Sequence, residues 1–508
     1  MPCTMIATVP SATLLGIEGQ PVRVEVHIGH GLPAFTIVGL PDMACRESRD
    51  RVRAAFASSE LDFPKTRVTV NLAPSGVRKI GSALDLAIAV AILSAQGRLD
   101  GRRLSGCGFI GELGLDGSVR TVTGVLPLVD AIDAEAIVVP LGCVAEATLV
   151  GRTTVRGVSC LRELVAAVEG TGPWPPPPSP VLAPPGEPPP DLAEVRGQPL
   201  GQWALEVSAA GGHHLLLIGP PGAGKTMLAS RLPGILPPLT RAQALETTRV
   251  HSAGGLALPA GGLVEAPPFR APHHTASPVS LIGGGTAWAR PGEISYAHNG
   301  CLFLDELGEF PSSVLDTLRQ PLEEGVVRVS RARCTVSFPA RFLLVAAMNP
   351  CPCGEGGPHG ACRCSESARA RYGRRLSGPL LDRFDLRVLV SRPDVGELLD
   401  GRPADGSVVV AQRVAAARAL AVERGVRSNA GLSSAELDRV GVLSAPARRL
   451  VEHRLRSGRL SARGLQRVRR VARTLADLAG EGGGVLDERH AAAALELRAD
   501  EAVLGLAS

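Results

Sequence analysis

The chain has 508 residues, 45% of them apolar, with eleven cysteines and a formal net charge of +5. That length exceeds one ordinary core and predicts roughly two to four domains. Aromatics at 3% disfavour recognition by successive base stacking, and so weak a global charge leaves local arginine clusters, held to phosphates, to carry any nucleic-acid argument. The opening MPCTMIATVPSATLLG lacks a basic stretch ahead of an apolar one, and the longest apolar run, SALDLAIAVAILSA, contains Asp85 and is too short for a bilayer. The expectation is a cytoplasmic protein with no membrane partner. In that reducing setting an odd cysteine count argues against a disulfide framework.

Along the chain, a first unit is expected over residues 1–170. Residues 171–190 include GPWPPPPSPVLAPPGEPPP, whose proline density forbids helix and sheet and reads as a linker. A nucleotide-binding unit is expected over 191–392 and a helical region over 393–508. In the last, SARGLQRVRRVARTLADL places Leu465, Val468, Val471 or Ala472, Leu475 and Leu478 at helical spacing, with Ser461 as N-cap.

Residues 213–232, HHLLLIGPPGAGKTMLASRL, are an apolar strand, a glycine-rich turn and a helical pattern. The turn Gly219, Pro220, Pro221, Gly222, Ala223, Gly224, Lys225, Thr226 fits G-x-x-x-x-G-K-S/T. Small residues let backbone N–H groups wrap the phosphates of ATP, Lys225 meets the β/γ oxygens, and Thr226 ligates Mg²⁺. A second apolar strand, GCLFLDELGEF, ends in Asp305 and Glu306, where an open α/β sheet presents its ligand groups. Asp305 is expected to hold Mg²⁺ through water and Glu306 to polarise the attacking water. A third, RFLLVAAMNP, ends in Asn349, suited to positioning that water and equally to forming a turn before proline.

Between these strands, EEGVVRVSRARCTVSF alternates as a β-hairpin with Arg331 and Arg333 near its tip and Arg328 on one flank. Guanidinium groups there would follow DNA phosphates without reading bases; a basic edge that blocks aggregation is the plainer alternative. After Asn349 come Cys351, Cys353, Cys362 and Cys364, a C-x-C, eight residues, C-x-C pattern. Four thiolates on one tetrahedral ion would make a closed structural Zn²⁺ site, with free thiols or a redox disulfide as alternatives. The following SARARYGRRL carries Arg369, Arg371, Arg374 and Arg375.

The set GPPGAGKT, LFLDE, a strand ending in Asn and LLDRFDL resembles an AAA+ ATPase of the magnesium-chelatase and MCM-like branch. More narrowly, FRAPHHTAS, LIGGG, PGEISYAHNGCLFLDE, AAMNPCPCG and SGPLLDRFDL resemble the ComM/YifB competence-associated family. The resemblance implies an α/β fold with an AAA+ phosphate-loop domain and a C-terminal helical lid. It also implies a homo-hexamer with ATP between subunits, Arg383 as the arginine finger given to a neighbour, and Arg463 as the sensor arginine on the lid. It makes FRAPHHTASPVSLIGGG an insertion meeting DNA or a neighbouring subunit; His273 and His274, read as strand neighbours, would face opposite ways and share no metal.

VNLAPSGVRKIGSALDLAIAVAIL and GELGLDGSVRTVTGVLPLVDAIDAEAIVVP resemble the proteolytic domain of Lon, an α+β fold. There the nucleophile position falls on Ala83 and the base position on Leu126, with Ser82 and Lys79 only nearby. Neither Ala83 nor Leu126 can do the chemistry. The leading expectation is a hexameric, ATP-driven DNA motor of helicase or branch-migration type, acting on single-stranded, branched or recombining DNA during natural transformation. The alternatives are a chelatase-type ATPase remodelling a protein partner and, more weakly, a Lon-like protease.

Overall fold

The computed structural model describes residues 5–177, 188–285, 289–331, 334–356, 362–375, 378–400 and 405–499. The first unit holds a four-stranded sheet in which Ile6–Leu15, Glu18–Gly29 and Arg67–Ala73 pair antiparallel and Ala34–Val38 joins parallel at the edge. A second, parallel sheet is built from Cys107–Phe109, Ala136–Pro140 and Thr154–Val158. The apolar run containing Asp85 becomes the helix Asp85–Ala95, and every residue of it is buried. Its large apolar side chains contribute about 1.5–3 kcal/mol each by leaving water. Asp85 survives there because Arg51 Nε lies 2.6 Å from its carboxylate and the Leu113 N–H donates to it at 3.2 Å.

The second unit is a five-stranded parallel sheet, ordered Phe269–Arg270, Cys301–Leu304, Leu343–Met348, Leu215–Ile218, Leu386–Leu389. Leu215–Ile218, Cys301–Leu304 and Leu343–Met348 are buried throughout, as expected of a parallel sheet covered on both faces. Numbered along the chain, the strands lie in the order 5-1-4-3-2. The three strands whose ends carry the site motifs are therefore adjacent at the centre.

The C-terminal region is helical: Ser407–Glu423, Ser434–Val440, Ala445–Arg456, Ala462–Leu478 and Glu488–Glu496. The Ser461 side chain caps Ala462–Leu478 by accepting from Gly464 N, and Val468, Val471, Ala472 and Leu475 face inward, as the spacing predicts. This bundle is bolted to the second unit, at the helix Pro199–Gly211 and beside the strand Leu386–Leu389. Arg418 Nε and Nη2 donate to Ala209 O at 2.9 and 2.6 Å, and buried Asp385 accepts from Arg467 Nη1. Among the described residues no helix is long and apolar enough to cross a membrane.

The hairpin is present, Val326–Arg331 pairing antiparallel with Cys334–Pro339. At its base Val327, Val336 and Phe338 share a core with Ile17 from the turn between the first two strands. The first unit also touches the helix Arg241–Gly254, where Arg249 Nη2 pairs with Asp130 at 2.7 Å and Gly124 N donates to Ser252 O at 3.1 Å. The proline-rich residues 178–187 lie outside the described residues; 173–177 and 188–190 carry neither helix nor strand.

Candidate nucleotide site

Strand 215–218 runs into a tight turn that only glycine completes easily: Gly224, immediately before the helix Lys225–Ala229, has φ +85°. The turn aims Lys225 back into itself. Its Nζ donates to Gly219 O at 2.7 Å, Pro220 O at 2.9 Å and Asn349 Oδ1 at 3.1 Å. Burial lowers the Lys225 pKa, while the charges of Asp305 and Glu306 oppose that shift. Asn349 is thus at the loop, as its place at the end of Leu343–Met348 requires.

The adjacent strand ends beside Thr226, whose Oγ1 donates to Asp305 Oδ2 at 2.6 Å. Asp305 Oδ1 accepts from Glu306 N at 2.9 Å, and Glu306 takes a left-handed backbone, φ +52°. Strain of this kind in a non-glycine residue persists where surrounding structure enforces it. The Glu306 carboxylate projects to solvent and meets His274 Nδ1 at 3.0 Å.

His274 is the residue that sequence reasoning misplaced. The strand stops at Arg270, so His273 and His274 are not strand neighbours facing opposite ways; their rings lie 4.1 Å apart at 33°. The two groups of residues able to hold a metal among those described lie elsewhere.

Arg383 is ion-paired to Glu323 and lies in the fields of Arg467, Arg463 and Arg319, which together with burial lower its pKa. No hydrogen bond or ion pair joins Arg383 to the phosphate loop of its own chain among the described residues. Arg463, exposed in the first turn of Ala462–Leu478, is grouped electrostatically with Arg383. Arg328 pairs with Glu324 on the hairpin flank. Arg331 closes the described backbone pairing opposite Cys334, and Arg333 lies outside the described residues.

The four cysteines converge. Cys351 Sγ is 3.3 Å from Cys353 Sγ and 3.6 Å from Cys362 Sγ, Cys353 to Cys362 is 3.8 Å, and all four sulfurs lie within 4.8 Å of one another. Burial pushes the Cys351 thiol up to about 12, and the backbone N–H groups of Glu355 and Arg363 draw Cys353 down to about 6. In the first unit, Ser82 Oγ donates to Glu112 while Lys79 Nζ is buried against Val77 O at 2.6 Å and Pro74 O. The serine and the lysine therefore have separate partners.

A glycine-rich G-x-x-x-x-G-K-T loop at the end of strand 1, with acids from strand 3 and an amide from strand 4 in a 5-1-4-3-2 sheet, is consistent with an α/β protein of the AAA+ magnesium-chelatase type with a helical C-terminal region. Family comparison agrees: the profile for magnesium chelatase, subunit ChlI, matches residues 191–398, that for subunit ChlI of Mg-chelatase matches 24–142, and that for the ChlI C-terminal region matches 404–498. An uncharacterized protein of Mycobacterium tuberculosis is 46% identical over 497 residues, covering 96% of this chain and 97% of that protein. Competence protein ComM of Haemophilus influenzae is 42% identical over 502 residues, 97% of each. The uncharacterized protein YifB of Escherichia coli is 41% identical over 507 residues, 98% of each. The chain belongs to the ComM/YifB family of magnesium-chelatase-like proteins.

Proposed function

We propose that the protein is an ATPase that drives movement on DNA as a hexameric ring. The observation that carries the ATPase reading is the Thr226–Asp305 hydrogen bond beside Lys225 and Glu306. A hydroxyl and a carboxylate already 2.6 Å apart suit a shared Mg²⁺, and the loop offers open space at Gly222, where an added side-chain atom would meet nothing within 4 Å. In this reading the loop from Gly219 to Gly224 cradles the phosphates and Lys225 neutralises them. Glu306 polarises water, Asn349 orients it, and bound Mg²⁺ would spread the developing phosphate charge. Arg383, with no hydrogen bond to its own phosphate loop among the described residues, and Arg463, grouped with it by its field, serve the shared interface between subunits.

The DNA part rests on the hairpin and on the relative named a competence protein. Arg328, Arg331 and Arg333 would meet phosphates, and the substrate would be single-stranded, branched or recombining DNA met in natural transformation. The first unit, resembling Lon without its dyad, serves as a collar on the hairpin base through Ile17. A second reading, a chelatase-type remodeller of a protein partner, is favoured by the three chelatase family matches. Stimulation of ATP hydrolysis by DNA separates the two. Arg331→Ala with Arg333→Ala should weaken DNA binding for all sequences and flatten its salt slope by about 0.9 per lost phosphate contact; a chain that ignores DNA points to the protein substrate.

The cysteine cluster fits structural Zn²⁺. Four sulfurs around an ion at about 2.3 Å stand about 3.8 Å apart, close to the 3.3–3.8 Å separations among Cys351, Cys353 and Cys362, with Cys364 Sγ within 4.8 Å of each.

A further inference from the structure

The cysteine cluster lies directly on the nucleotide site. Asn349, which takes the Lys225 ammonium at 3.1 Å, precedes Cys351 by two residues. Gly354 sits against Pro221 of the phosphate loop, so closely that an added Cβ would be 2.5 Å from Pro221 Cδ, and its φ of +81° reserves the position for glycine. Glu355 pairs with Arg392 Nη2 at 2.6 Å, and Arg392 Nε donates to Pro221 O at 3.3 Å. On the far side of Cys364, Tyr372 donates its hydroxyl to Asn349 O at 3.2 Å, and its ring closes on Gly308, two residues after Glu306. Both ends of the cysteine loop are therefore tied to groups that would meet nucleotide.

We propose that the four-cysteine cluster, once it holds zinc, braces the phosphate loop, so that metal occupancy and nucleotide affinity rise together. The proposal rests on the zinc reading of Cys351, Cys353, Cys362 and Cys364. Without metal, Cys351, Cys353 and Cys362 meet one another only through weak thiol contacts, and Gly354 and Glu355 are held less firmly toward Pro221. Four metal–sulfur bonds fix them, and the backbone N–H groups of the phosphate loop then need less ordering when phosphate arrives. Coupling of this kind is reciprocal: nucleotide must tighten zinc by the factor by which zinc tightens nucleotide. Arg392 and Glu355 act through Pro221 and are positioning residues.

The test uses full-length protein purified without a histidine tag and ADP as the probe, in buffer free of magnesium. Metal analysis should find one zinc per chain. A zinc-selective chelator should weaken ADP binding about tenfold, with recovery on adding Zn²⁺, and saturating ADP should tighten zinc affinity, read by chelator competition at equilibrium, by a like factor. Arg392→Ala should keep its zinc and still lose about threefold in ADP affinity, with Arg392→Lys recovering part of it. Zinc-loaded protein whose ADP affinity is indifferent to chelation and to Arg392→Ala overturns the brace alone. Wild-type protein without zinc overturns the metal reading and the brace together.

Discussion

His274 Nδ1 lies 3.0 Å from Glu306 Oε2, joining a residue after the edge strand to the carboxylate at the end of its neighbour. The imidazole is itself held, edge-on to Phe310 at 6.4 Å and against His273 at 4.1 Å. A carboxylate oxygen engaged by an imidazole is occupied and turned from the water it would polarise. His274→Ala should therefore raise basal ATP turnover about two- to fivefold, the factor expected for one modest hydrogen bond, without changing nucleotide affinity. Turnover that falls with the same affinity would show the histidine to orient the glutamate for attack instead.

Lys225→Ala should abolish measurable nucleotide binding, since the ammonium is the cation set inside the loop. Glu306→Gln should retain ATP and lose about 10²–10⁴ in turnover, the size of a general-base contribution. Equilibrium binding and single-turnover hydrolysis on the two variants separate the roles. Normal turnover in Glu306→Gln would remove the assignment.

The parts of the site that follow from local pattern were legible in sequence. A run of apolar residues into GPPGAGKT, LFLDE or a terminal Asn specifies a buried strand and what its end presents, and Lys225, Thr226, Asp305, Glu306 and Asn349 meet accordingly. Ser461 and its helix are legible for the same reason: periodicity and a cap are local. His274 was not, because its ring direction is set by a turn with no period, thirty-two residues from Glu306 in sequence. Gly354 against Pro221 and Tyr372 on Gly308 are likewise close approaches across loops. The motif LLDRFDL announced Arg383 but not Asp385, whose role as buried anchor for Arg467 appears only once the lid helix packs on the sheet.

Stability should fall in mild acid through His214. The residue is half-buried just before strand 215–218, its Nδ1 accepts from Leu344 N at 3.0 Å, and desolvation of the ring holds its pKa down to about 4 against an ordinary 6.5. Between those values the unfolded chain binds a proton that the folded chain refuses, so stability is intact above about pH 6.5 and declines toward pH 4, by up to about 3 kcal/mol. Denaturant unfolding at pH 7 and pH 5 measures the loss. His214→Asn, which keeps an acceptor and cannot titrate, should flatten the profile; an equal decline in that variant would assign it to other groups.

The last relationship concerns Arg383, which is held by Glu323 on its own chain and has no hydrogen bond to its own phosphate loop among the described residues. Crowding by Arg467, Arg463 and Arg319 is unfavourable in an isolated chain, and an anionic phosphate presented by a neighbour would relieve it. Arg383→Ala should then bind ATP nearly as well as the parent, since the loop is intact, and lose about 10³–10⁵ in hydrolysis, because transition-state charge goes uncompensated. Mixing Arg383→Ala with Lys225→Ala chains makes the comparison decisive. An interface that joins the intact loop of the first to the intact arginine of the second is competent, so mixed assemblies should recover part of the activity that neither parent has. Subunit exchange is monitored separately by labelled chains. If exchange is complete and hydrolysis stays absent at every mixing ratio, Arg383 does not act across a subunit boundary.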